Sequence, residues 1–90
     1  MAIINIATPL RRFLSNASRI EVDCKNLSAV FAELIERSGL DKAIFLTEDC
    51  VTSPFVCPYI NGVSYAGIKV DEVLLKADDI IDLIVAIPGG

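Results

Sequence analysis

The sequence predicts an α+β domain, a mixed twisted sheet of four to five strands packed on one main helix. Three observations carry that expectation. The stretch "NLSAVFAELIERSGL" repeats apolar residues at helical spacing, "AIINIAT" opens the chain with β-branched residues, and "IIDLIVAI" near its end is a run apolar but for Asp82. Each period matches one element: 3.6 residues for a helix packed on one side, and a closed apolar run for a strand covered within a sheet.

Composition bounds what such a domain can do. Ninety residues suffice for one modest core, and a 53% apolar content argues against disorder. Twelve acidic residues against eight basic give a net charge of −4, and Arg11-Arg12 is the only basic pair. A nucleic-acid binder needs a concentrated basic face, so no nucleic-acid partner is expected. No apolar run reaches the roughly 20 residues of a membrane span, and the start lacks the basic region of a signal peptide, so the expected location is the cytoplasm, with no membrane partner. The chain has no histidine, which removes Ser-His-Asp and Cys-His catalysis and the Cys/His zinc patterns. Cys24, Cys50 and Cys57 lack paired ligand spacing and read as free thiols. Glu48-Asp49 and Asp78-Asp79 sit in polar stretches that read as solvated surface or turn. No catalytic residue and no metal site is therefore expected, and the chain is not read as an enzyme.

Taken in order, residues 2–8 read as a strand ended by Pro9, and "LRRFLSNAS" as a connecting loop. "RIEVD" alternates Ile20 and Val22 with Arg19, Glu21 and Asp23, a half-buried strand hairpinned to the first. In the helix, Leu27, Val30, Phe31, Leu34 and Ile35 share one face, Asn26 is a suitable N-cap, and Gly39 suits a left-handed C-cap. "DKAIFL" reads as a short helical turn and "TEDCVTSP" as a loop. "FVCPYI" reads as a strand in which Pro58 marks a start, bulge or edge, and Asn61-Gly62 as a reverse turn returning into "VSYAG". "KVDEVLLKADD" is a loop holding a brief helical turn, and "IIDLIVAI" a central strand beside the first. The resulting order, β-β-α-β-β-β, is that of the β-grasp, ubiquitin-like architecture. Residues 1–86 form the expected domain, and 87–90 an extended Gly-Gly tail.

Several of these segments resemble the MoaD/ThiS family of ubiquitin-like sulfur carriers: the opening strand, "NLSAVFAELIERSG", "INGVSY", and above all "KADDIIDLIVAIPGG". "ATPLRRF", with Thr8, Leu10 and Arg11, further resembles the branch serving cysteine or thiolated-metabolite biosynthesis. Pro88 departs from the pattern, since many relatives have another residue before the glycines. The resemblance implies that a ubiquitin-activating-like adenylyltransferase/sulfurtransferase uses ATP to adenylate the carboxylate of Gly90. Sulfur then replaces the adenylate, and the thiocarboxylate on Gly90 donates it to a sulfur-accepting synthase, with no cofactor bound to the carrier itself. A ubiquitin-like modifier joined to target lysines, or the small subunit of molybdopterin synthase, is the alternative.

The residue types suit that task. Ile87 to Gly90, extended at about 3.3 Å each, reach about 13 Å. Gly89 and Gly90 lack a Cβ and thread a narrow channel, while Pro88 holds Ile87 extended. Alternation along the last strand sends Ile81, Leu83, Val85 and Ile87 to the helix-covered face. Ile80, Asp82, Ile84 and Ala86 go to the other face, where Phe55 or Tyr59 joins them as candidates for partner docking, together with Arg11.

Overall fold

The computed structural model describes residues 1–85. Five strands form one mixed sheet in the order β2-β1-β5-β3-β4. They are β1 (Ala2–Asn5), β2 (Arg19–Val22), β3 (Val56–Ile60), β4 (Val63–Ser64) and β5 (Ile80–Val85). β5 occupies the centre, parallel to β1 through Ile3↔Ile80 and antiparallel to β3 through Val56↔Val85. Its apolar continuity in the sequence has this cause: both of its edges are paired and one face is covered.

The cover is helix α2 (Leu27–Ser38). The Asn26 side chain accepts from the Ala29 amide at 2.8 Å, and Gly39, at φ 69°, closes the other end by donating its amide to the Ile35 carbonyl. Leu27, Val30, Phe31 and Leu34 are buried against Ile4, Ile20, Ile81 and Leu83 of the sheet side of the core. Phe31 meets Phe45 edge-on, with centroids 6.1 Å apart. Phe45 ends a one-turn helix, α3 (Lys42–Phe45), capped by Asp41, so "DKAIFL" forms the expected helical turn. A 3-10 turn at Val70–Glu72 is the brief helical turn expected in the loop before β5.

Three boundaries differ from the sequence reading. The first strand stops at Asn5, and "LRRFLSNAS" is not all loop, because Thr8–Arg11 forms a short helix, α1. Pro9 falls in its first turn, where the missing N–H is not needed and the fixed φ already suits a helix, so the proline starts an element here. "VSYAG" contributes only Val63–Ser64 to the sheet. Pro58 is neither a strand start nor a bulge and lies mid-strand opposite Leu83. Asn61 donates to the Ile80 carbonyl and Tyr65 to the Pro58 carbonyl. By antiparallel alternation, the nitrogen of Pro58 then faces away from β5 toward the side where β4 has just ended. There the Tyr65 carbonyl, which an amide at position 58 would have met, accepts from the Thr52 hydroxyl at 3.3 Å instead.

Candidate docking face and C-terminal exit

The sheet has a second face, which no helix among the described residues covers. Because cross-strand partners share a face, Ile80 and Ile84 of β5 stand on it with Ile3 and Asn5 of β1, Cys57 and Tyr59 of β3, and Arg19 and Glu21 of β2. Ile80 and Ile84 are 44% and 54% exposed, whereas their neighbours Ile81 and Leu83 are 0% and 2% exposed. The alternation expected for β5 is therefore observed from Ile80 to Val85.

At the centre of this face the Asn5 side-chain amide donates to Asp82 Oδ1 at 2.7 Å across the parallel β1–β5 pair. The bond fixes one oxygen of the Asp82 carboxylate beside Asn5, in surroundings that are mostly apolar. Ile6, Ala7, Tyr59 and Ile84 line a shallow hollow of about 600 Å³ around the pair. A mostly apolar depression oriented by a single fixed polar pair suits a protein surface better than a small charged ligand.

The sequence-selected residues fall into four groups. Asp82, Ile84 and Tyr59 come together around this hollow. Phe55 precedes β3 and packs against the core cluster, outside the hollow's lining. Arg11 is half-buried in the last turn of α1, with its Nε donating to the Ile6 carbonyl at 3.0 Å, so the guanidinium ties α1 back to the end of β1. Its neighbour Arg12 is exposed and lies over the Phe13 ring, 4.7 Å from the centroid. Ala86, Ile87, Pro88, Gly89 and Gly90, with the boundary set between 86 and 87, lie outside the described residues.

Two features escaped the sequence reading. Asp79, read there as part of a solvated turn, is buried: its carboxylate accepts from the Lys76 amide at 2.7 Å and from the Asn61 side chain at 3.0 Å. Those bonds, the backbone one first, hold the Asp79 carboxyl below its usual range. Asn61 completes a clasp by accepting from the Ile80 amide, which joins the β3–β4 turn to the start of β5. Asp followed by an apolar strand was the only available cue, and it does not distinguish a solvated turn from a buried one. Cys24 lies 3.7 Å from Glu33, and burial followed by that carboxylate pushes its thiol pKa up, away from a reactive thiolate. All three cysteines are free and half-buried, and no group suited to a metal occurs among the described residues.

No protein-family model and no curated protein matches the sequence. Solved structures do match. The matching chain of the Amycolatopsis orientalis BexX/CysO complex is 20% identical with a TM-score of 0.78, each chain being covered in full. Mycobacterium tuberculosis CysO, described as an antigen, is 17% identical with a TM-score of 0.73, over 97% of this chain and 100% of that one. Small archaeal modifier protein 1 from Methanosarcina acetivorans is 20% identical with a TM-score of 0.73, over 99% and 95%. With the strand order, the parallel β1–β5 pair and the single covering helix, these likenesses establish that the chain has the β-grasp, ubiquitin-like fold.

Proposed function

We propose that the chain is a sulfur carrier that works through its C-terminal Gly90 as a co-substrate in the cytoplasm, with catalysis supplied by its partners. The observation that supports this most is positional. The central strand β5 is paired with β1 as far as Asp82 and with β3 as far as Val85, and the sequence continues from there as "AIPGG", whose two glycines have no side chain. A likeness in fold to CysO, which occurs in a complex with BexX, adds support.

In the proposed cycle an activating enzyme joins the Gly90 carboxylate to the α-phosphate of ATP, releasing pyrophosphate. A hydrosulfide equivalent then attacks the activated carbonyl, the C–O bond to AMP breaks, and a thiocarboxylate remains. The thiocarboxylate sulfur bonds to the synthase's electrophilic acceptor, and water then cleaves the resulting thioester, so the sulfur stays on the acceptor and the carboxylate is restored. The chain's own contribution is geometric: the sheet anchors the tail, and the exposed hollow around Asn5 and Asp82 receives the partner.

Co-expression with an activating enzyme and a sulfur source tests the reading. The intact mass should rise by the difference between one sulfur and one oxygen, and deletion of Gly90 should abolish the shift. An unchanged mass under conditions that charge another carrier would reject it.

A second reading is favoured by the likeness to small archaeal modifier protein 1. In it the same activated Gly90 forms an amide with lysines of target proteins, releasing AMP. Higher-mass adducts that require Gly90 and resist thiol reagents would select it over the carrier.

A further inference from the structure

β2 is one edge of the sheet, and its outward backbone groups are open. Ile6 donates to the Ser18 carbonyl at 2.8 Å, and Ile4 pairs with Ile20. Antiparallel alternation then directs the N–H and C=O groups of Ser18, Ile20 and Val22 toward β1 and those of Arg19 and Glu21 outward. Among the described residues no turn or loop backbone bond uses these outward groups. A hollow of about 460 Å³, lined by Leu14, Ala17, Ile20 and Arg37 among others, runs beside the strand, and no strand among the described residues pairs with this edge.

Natural sheets usually blunt such an edge with proline, a bulge or charged side chains, lysine above all. "RIEV" has no proline, lysine or bulge. Its charges are one positive and one negative, at the two residues with open backbone groups, so they need not repel a second copy of the strand. Both are exposed, and neither forms an ion pair among the described residues.

We propose that this edge is a self-association surface, on which β2 of one copy pairs antiparallel with β2 of a second copy about a two-fold axis beside Ile20. In that register Arg19 of each copy is opposite Glu21 of the other. These become the hydrogen-bonded pairs of the new ladder, with Cα atoms about 5.5 Å apart. The open backbone groups are matched, and the opposite charges meet on one face. A partner of unrelated sequence would need this same complementarity, whereas a second copy has it by symmetry. The two sheets become continuous, and β1 separates Asp82 of each copy from the joint, while Asn5 neighbours Arg19 across the β1–β2 ladder.

The contact is short, so the dimer is a weak one. Sedimentation equilibrium of the full chain at concentrations up to about 1 mM should show a monomer–dimer equilibrium. Glu21→Arg places arginines opposite arginines, and Arg19→Glu places glutamates opposite glutamates. Each variant alone should weaken association at least tenfold. An equimolar mixture of the two restores every opposite-charge pair and should associate at least as tightly as the unaltered chain. Amide exchange gives a second readout: the Arg19 and Glu21 amides should gain protection as concentration rises, and the Ile20 amide should stay protected throughout. A chain that remains monomeric over this range, single variants that associate undiminished, or a mixture that stays monomeric would each overturn the proposal. Both substitutions are at exposed positions, and circular dichroism verifies that the fold is retained.

Discussion

Asp79 shows how a single residue joins distant parts of the chain. Its two oxygens receive the Lys76 amide and the Asn61 side chain, and Asn61 passes the connection on to the Ile80 amide. Asp79→Ala leaves two donors without their acceptor, and a loss of about 1–3 kcal/mol is expected in chemical denaturation at neutral pH. The fold lowers the Asp79 pKa below its ordinary 3.8, so the ionised form stabilises the native state. That contribution is complete well above the ordinary value and disappears as the pH falls through the folded value. The stability gap between the unaltered chain and Asp79→Asn should therefore be widest near neutrality and narrow at acid pH. An unchanging gap from about pH 7 to about pH 2.5 would contradict the assignment.

Among the elements, the β3–β4 turn and β5 give the clearest expectations. Asn61 and Gly62 both have positive φ, 51° and 85°, the pattern of a type I′ hairpin turn. A Cβ at Gly62 would meet no atom within 4 Å, so Gly62→Ala costs backbone strain alone. Denaturation should register about 1 kcal/mol, and a loss several times larger would mean that the site is packed rather than strained. In β5, two neighbouring residues should behave oppositely because alternation sends them to opposite faces. Leu83→Asp puts a carboxylate into the core and should unfold the domain, whereas Ile84→Asp changes a 54% exposed position and should leave thermal stability nearly unchanged. Melting curves of the pair check this directly. If Ile84 belongs to the docking face, the folded Ile84→Asp variant should also lose affinity for an activating enzyme by about tenfold or more, read by titration calorimetry.

For the molecule as a whole, much was legible in the chain. The helix, its caps, the turn at Asn61-Gly62, the central last strand and its two faces all follow from local period and capping chemistry. Where the reading failed, a local signal had two structural meanings. Pro9 both ends a strand and starts a helix, and only the chain's route around the end of β1 selects the second. Pro58 reads as a strand start, bulge or edge, and only the fold selects the last: it lies mid-strand with its nitrogen on the side that the two-residue β4 leaves unpaired, where Thr52 supplies the donor that proline lacks. Arg11 reads as a candidate for partner docking, and only the fold shows that its Nε also donates to the Ile6 carbonyl.

By itself, then, the sequence determined the fold class, the helix face and which side chains of β5 are inward, because hydrophobic period and capping act between residues close along the chain. The tertiary structure alone decided what depends on strands distant in sequence. It brought Asn5 to Asp82 and Asn61 to Asp79, left the hollow around Tyr59 and Ile84 uncovered, and left β2 as an open edge with Arg19 and Glu21 outward. No local pattern encodes those pairings. Burial of the two inner faces selects the register, and the outer face and the edge acquire their chemistry as a consequence.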